Sequence, residues 1–194
     1  MGLFLCQPQS SEIVLGFVAD SSEATGLKWA APGGGGAMVL TKAQSFSASS
    51  AVNVNDCFSA TYKNYLVLIQ YTMSGNHDTN WRFRTGGTDN TASNYQYSGA
   101  YFAAGDTANT ALGTINDDKM NIGNGINTGA SYTVMVHQPY ESAVTGYEAL
   151  NGTGSRYKIM GGQVNNTTSF DGFSIIPSSN NITGTLRVYG LVDA

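Results

Sequence analysis

The chain is built from short runs in which apolar and polar residues alternate, separated by residues that form turns. In "SYTVMVH", Tyr132, Val134 and Val136 fall on one face of a strand and the residues between them fall on the other. "NWRFRTG" alternates in the same way, with Trp81 and Phe83 sharing a face. No long segment repeats its apolar residues every 3.6 positions or so, which is the spacing of an amphipathic helix. The pattern therefore predicts an all-β chain.

Ten strand-like segments follow one another after residue 36. They span residues 37–47, 51–55, 64–74, 80–86, 94–102, 119–124, 131–140, 156–164, 170–177 and 184–192. The segment 64–74 is apolar enough to predict burial on part of both faces. Segments 85–93 and 106–118 are rich in turn formers and polar residues, and we predict that they are loops. Strands at such short intervals favour an antiparallel, jelly-roll-like β-sandwich.

The first part of the chain has a different pattern and predicts a short arm. Two short strands are expected at 13–18 and 27–31, and a run of four glycines follows at 33–36. A two-stranded unit is only marginally stable by itself in water, so its apolar side chains need a partner. Since Gly-rich segments are flexible, we divide the chain into an arm with a Gly-rich hinge, 1–36, and a sandwich domain, 37–194. The arm residues expected to contact a sister chain or a neighbouring protein are Leu15, Phe17, Leu27 and Trp29.

Composition and charge narrow the range of partners. Only 11% of the residues are charged and the net charge is −4, and the nine Lys and Arg residues form no basic stripe, so we exclude nucleic acid as a partner. The N-terminal apolar residues are too few to cross a membrane and carry no basic residue ahead of them, so we predict neither membrane insertion nor a signal peptide. The expected location is the cytoplasm of the producing cell, unless a larger assembly carries the protein out.

Motifs of the common catalytic and metal sites are missing from the sequence. The chain has two histidines, far apart, and no HExxH, GxSxG or phosphate-binding GxxxxGK[ST] motif. Cys6 and Cys57 lack the CxxC spacing and are interpreted as free thiols. We therefore predict no enzymatic activity, no metal and no cofactor.

Aromatic and arginine residues provide one hypothesis for a binding site. A sugar has an apolar face and hydroxyl edges, so it suits flat rings beside planar hydrogen-bond donors. The candidate glycan contacts are Arg82, Arg84, Tyr95, Tyr97 and Tyr101. The alternative, which the alternation in the strand favours, is that Trp81 and Phe83 fill the core while the two arginines are solvated.

One segment and several later motifs resemble a known family. "DSSEATGLKWAAPGGGGAMVL" resembles the junction before the C-terminal domain of tailed-bacteriophage structural proteins, chiefly tail fibres. "FSATYKNYLVLIQYT", "WRFRTGGTDNTASNYQYSGAY" and "FSIIPSSNNITGTLRVYGLVDA" are similar to later motifs of that family, in the same order. The resemblance covers roughly residues 18–194. It implies a jelly-roll-like sandwich on a virion surface, associated as a homotrimer.

The sequence departs from that family at its N-terminus, where many members carry a long repetitive stalk. About 24 residues precede "ATGLKWA" here, which is the length of an arm rather than a fibre. We therefore expect a virion protein attached to other virion proteins through its arm. Host-surface glycan recognition is the first hypothesis, and a purely structural role as a capsid decoration, cement or head-fibre protein is the second. A virion-borne polysaccharide depolymerase is the third and weakest.

Overall fold

The computed structural model describes residues 16–19, 27–30, 37–105, 110–154 and 156–192. The chain divides into two compact units, Met1–Gly36 and Ala37–Ala194. In the first unit, strand β1 (Gly16–Ala19) pairs antiparallel with β2 (Leu27–Ala30), so that Phe17 lies opposite Trp29 in the register. Leu15 lies outside the described residues, as does the Gly-rich hinge. The contacts of the arm with a partner therefore stay a prediction.

The described part of the second unit consists of strands and turns, with no helix. The strands are β3 (Met38–Ser49), β4 (Val52–Val54), β5 (Asn64–Met73), β6 (His77–Thr85), β7 (Thr88–Asp89), β8 (Tyr95–Ala103), β9 (Thr110–Asp117), β10 (Met120–Gly125), β11 (Ala130–His137), β12 (Thr145–Thr153), β13 (Arg156–Val164), β14 (Gly172–Pro177) and β15 (Ile182–Leu191). They form an eight-stranded sheet and a smaller five-stranded sheet, and every pairing is antiparallel.

The connections between the sheets are those of a jelly roll, as the sequence predicts. The large sheet contains β3-β15-β5-β11 and the small sheet contains β4-β14-β6-β10, each in spatial order. Along the chain, β3, β4, β5 and β6 alternate between the sheets, β10 returns beside β6, and β11, β14 and β15 alternate again. This is the double Greek key of a jelly roll. The all-β, antiparallel sandwich is confirmed.

The core lies between the inner faces of the two sheets and is rich in aromatic rings. Trp81 stacks on Phe173 with ring centroids 3.8 Å apart, and Phe83 stacks on Phe170 at 5.0 Å. Both β6 aromatics are completely buried, which confirms the face that the alternation assigned to them. Burying side chains of this size contributes about 1.5–3 kcal/mol each, so these rings are a main source of stability.

Four strands extend the large sheet beyond the jelly-roll framework, in the order β12-β13-β8-β9. Two of them contradict the sequence predictions. Residues 106–118 were expected to form a loop, but β9 occupies Thr110–Asp117, and β12 was not predicted at all. The inward residues of β12 include Thr145, Asn151 and Thr153, so its buried face is too polar to show an apolar alternation. The extension makes the large sheet four strands wider than the framework alone.

Candidate functional site

Arg84, predicted as a glycan contact, is a buried structural residue instead. It is 6% exposed on the outer face of the small sheet. Its guanidinium donates to the side chains of Asn53, Asn55, Asp89 and Ser174 and to the main-chain oxygen of Gly87. These bonds tie the short β6–β7 hairpin onto the sheet. The prediction of a ligand contact is wrong here because the donors of Arg84 are already used inside the protein. The alternative, a solvated arginine, is wrong for the same reason.

Tyr95 is also unavailable to an external ligand. Its side chain is 0% exposed, and burial raises the pKa of its hydroxyl to about 12. The hydroxyl accepts a bond from the main-chain N–H of Phe83 at 3.1 Å and donates to the main-chain oxygen of Asn90 at 3.0 Å. Tyr95 therefore anchors the end of the 85–94 segment to β6, and the predicted glycan contact is wrong.

Arg82 lies on the outer face of the small sheet in a network of partly buried charges. Its Nε donates to the main-chain oxygen of Asp118 at 2.9 Å, and its guanidinium pairs with the Asp118 carboxylate. Lys119 donates to the same carboxylate at 2.8 Å. The Lys119 hydrogen bond, together with the charges of Arg82 and Lys119, lowers the pKa of Asp118 to about 2. Arg82 thus holds the β9–β10 turn and is not a solvated arginine.

Of the five predicted glycan contacts, Tyr97 and Tyr101 are the two tyrosines that are at least partly accessible. They share the inward face of β8, on the part of the large sheet that extends beyond the framework. Tyr97 is half-buried against the core, and burial followed by the charge of Asp117 raises the pKa of its hydroxyl. Tyr101 lies further along the strand, beside Lys158 of β13 in the register. The two rings therefore face the space beside the small sheet.

Tyr101 belongs to a concave site of about 280 Å³ between the two sheets, which we name the Tyr101 cleft. Its lining residues are Tyr101 of β8, Leu112 of β9, Asn124 of β10, and Arg156 and Lys158 of β13. The guanidinium carbon of Arg156 lies 5.7 Å from the centre of the Tyr101 ring, within the range of a cation–π contact. The cleft thus combines one aromatic ring, one aliphatic side chain, one amide and two cations.

Lys158 is the most deeply buried charge of the cleft. Its residue is 6% exposed, and its ammonium donates to Oδ1 of Asp78 at 3.2 Å. The amide of Asn124 donates to the same oxygen at 2.9 Å. Asp78 and Asn124 are cross-strand partners of β6 and β10, so the edge of the small sheet holds the carboxylate that orients Lys158.

Asn151 fixes the small-sheet side of the cleft to the large sheet. Its side-chain oxygen accepts from the main-chain N–H of Asn124 at 2.9 Å, and its amide donates to the main-chain oxygens of Asn124 and Ser131 at 3.2 and 3.3 Å. Gly123, whose φ is 143°, allows this approach, because a Cβ there would lie 2.5 Å from the Asn151 side chain. The position of Asn124 is therefore set by bonds on both sides.

Tyr101 is the one cleft residue that the sequence predicts, although β13 also carries a signal. In "RYKIMGGQV", alternation puts Arg156 and Lys158 on one face and Tyr157 and Ile159 on the other. The charged face is turned inward, while Tyr157 and Ile159 are 42% and 44% exposed. In most strands the apolar residues face inward and the charged residues face solvent, and β13 has the opposite arrangement here. Departures of this kind are expected at functional sites. Asp78 and Asn124 carried no comparable signal.

A second concave surface lies on the outer face of the large sheet. It encloses about 630 Å³ and is lined mainly by apolar side chains of β5, β8, β11, β12 and β13. Leu150 and Ile159, two of its lining residues, are exposed cross-strand partners. Leu68, which like Leu150 pairs with Thr133, and Tyr157, two residues before Ile159, are exposed on the same face. We name these four residues the large-sheet stripe. The prediction that the segment 64–74 is buried on part of both faces is wrong, because the outward residues of β5 are half-buried or exposed, and Leu68 is 37% exposed.

The described residues show no sign of metal chemistry or of membrane insertion by a helix. They hold no group of three or more His, Cys, Asp or Glu side chains able to bind a metal ion. No helix in this part of the chain is long and apolar enough to span a membrane. Cys57 is a buried free thiol whose pKa is raised by burial, and Cys6 lies outside the described residues.

The chain is thus an antiparallel jelly-roll sandwich with a small cleft between its sheets that is lined by polar, charged and aromatic side chains. Comparison with models of protein families, with curated proteins and with solved structures found no match for this chain.

Proposed function

We propose that this protein is a surface component of a bacteriophage particle that displays its sandwich outward and binds a glycan of the host surface. The resemblance of the "ATGLKWA" junction and of the later motifs supports the virion assignment. The jelly-roll connectivity supports it further, since viral capsid and lectin domains use this architecture. In this proposal the arm attaches the protein to other virion proteins.

The observation that carries glycan binding is the composition of the Tyr101 cleft. A sugar ring needs an apolar surface for its C–H face and planar donors for its hydroxyl edges. Tyr101 and Leu112 provide the first, and Asn124 with Arg156 provides the second. Each such site is small and binds weakly, and a homotrimer would increase the apparent affinity through its effective concentration.

A glycan array of bacterial surface polysaccharides, probed with the purified full chain, tests this function. We expect binding to at least one polysaccharide, with a loss of about fivefold or more in the Tyr101→Ala variant, because aromatic contacts contribute about 1 kcal/mol or more. Tyr140→Ala is the matched control, since Tyr140 is 41% exposed and follows the far end of β11. No binding to any polysaccharide, or an equal loss in both variants, would contradict the proposal.

The second candidate is a purely structural role, as a capsid decoration, cement or head-fibre protein. The large-sheet stripe favours it, because contiguous exposed apolar surface on a soluble domain marks contact with another protein. We assign the stripe to contact between copies of this chain, since the resemblance implies a homotrimer. Contact through the stripe would leave the Tyr101 cleft accessible, because the stripe is on the outer face of the large sheet and the cleft is on its inner side.

A further inference from the structure

The donors of the Tyr101 cleft are not all used within the protein. The ammonium of Lys158 has three N–H donors, and among the described residues it bonds only to Asp78. Its side chain is 8% exposed, so bulk water reaches little of it. A buried ammonium with free donors is costly, because its remaining protons need acceptors. A ligand oxygen in the cleft would supply one.

The charges of the cleft leave a positive excess. Arg156 and Lys158 contribute two cations, and Asp78 contributes the one carboxylate that bonds within the cleft. Within residues 37–105, 110–154 and 156–192, no carboxylate lies within 4.0 Å of the Arg156 guanidinium. The whole chain is negative, at −4, so the cleft has a charge opposite in sign to that of the chain.

The arrangement of these groups suits a carboxylate on a ring. The guanidinium of Arg156 presents N–H donors in a planar fork that matches a carboxylate. Lys158 lies two residues away on the same face of β13 and can donate to the same anion. Tyr101, under the guanidinium, and Leu112 offer the apolar surface that the ring of the ligand requires.

We propose that the Tyr101 cleft recognises an acidic sugar of the uronic acid class, with Arg156 and Lys158 binding its carboxylate and Tyr101 with Leu112 contacting its ring. Asp78 and Asn124 are positioning residues, since they orient Lys158 from the edge of the small sheet. This proposal rests on the proposed glycan-binding function and names the class of sugar.

Calorimetric titration of the full chain with uronic acid oligosaccharides tests the proposal. The probes are oligomers of galacturonate, glucuronate and mannuronate, each beside its carboxyl-reduced, neutral counterpart. We expect at least one acid to bind about tenfold tighter than its neutral counterpart, because a charge-assisted hydrogen bond contributes that much or more. The preference should weaken as salt is added, since screening reduces the attraction.

Two variants test whether the preference for the acidic over the neutral sugar comes from the cleft. Arg156→Gln should remove most of the preference for the acid, and Arg156 is exposed, so the variant is expected to fold. Arg187→Gln, at an exposed arginine of β15 on the outer face, should leave the preference unchanged. Thermal unfolding of both variants checks that the fold is intact.

The outcomes distinguish failure of the acidic-sugar assignment from failure of the proposed glycan-binding function. Equal affinity for acidic and neutral sugars, or a preference that survives Arg156→Gln, would overturn the acidic-sugar assignment and leave glycan binding standing. A sulfated derivative of the neutral oligosaccharide is a further probe. If it binds as tightly as the uronic acid oligomer, the cleft is a general anion site, which also overturns the acidic-sugar assignment. Failure of the array and of every titration would overturn both.

Discussion

At the scale of single residues, two arginines two positions apart have different roles that the sequence does not distinguish. Arg82 and Arg84 share one face of β6 and both looked like donors on an open surface. Arg84 is buried by the hairpin that it binds, while Arg82 holds a partly exposed turn. The difference comes from Asp89 and Asp118, which only the folded chain brings to these arginines.

Replacement of Arg84 tests its structural role. Arg84→Met should lower the free energy of unfolding by about 3 kcal/mol or more, because it leaves the carboxylate of Asp89 without its buried partner. Urea denaturation measures the change, and Arg187→Met is the control at an exposed position of another strand. If both variants unfold at the same urea concentration as the native chain, the hydrogen bonds of Arg84 do not contribute to stability.

At the scale of elements, two consecutive glycines of β13 differ in the space around them. A Cβ on Gly162 would lie 2.1 Å from the main-chain oxygen of Gln96 and 2.8 Å from the Tyr147 ring. On Gly161 the nearest atom would be the main-chain oxygen of Tyr147, at 3.7 Å. Gly162 thus permits the close approach of β8 and β13, the two strands that carry Tyr101 and Lys158.

Alanine at each glycine tests this close approach. We expect Gly162→Ala to destabilise the protein by about 1–3 kcal/mol through overpacking, and Gly161→Ala to have little effect. Chemical denaturation gives both values. Gly162→Ala should also weaken glycan binding, since a shift between β8 and β13 displaces the cleft. Equal stability of the two variants would mean that the strands absorb the methyl group without strain.

The sequence predicts elements where alternation is strong and fails where the buried face is polar. The strands around Trp81 and Val134 were predicted because large apolar residues alternate there. The edge strand β9 was missed because its residues are mostly exposed, and β12 because it buries Asn151 and threonines. Of the candidate site, Tyr101 was predicted, whereas its neighbours come from β6, β9, β10 and β13. Their convergence depends on the order of strands in the sheets.

At the scale of the whole molecule, the two sheets differ in what their outer faces present. The outer face of the small sheet carries ion pairs such as those of Arg82 and Arg84. The outer face of the large sheet carries the large-sheet stripe. The charges of these ion pairs are already satisfied within the small sheet, whereas covering exposed leucine and isoleucine with another surface lowers the free energy. The large sheet is therefore the side on which we expect copies of the chain to meet.

A single charge in the large-sheet stripe tests this contact. The native chain should sediment as an oligomer at about 10 µM, an ordinary concentration for weakly to moderately associating proteins. Ile159→Lys should sediment as a monomer, because a buried ammonium without a partner opposes association. Ile115→Lys is the control, since Ile115 is 72% exposed on the edge strand β9, outside the stripe, and this variant should stay oligomeric. A native chain that is monomeric at this concentration, or dissociation by both variants alike, would show that the stripe does not join copies of the chain. In that case its partner would have to be a different protein of the particle.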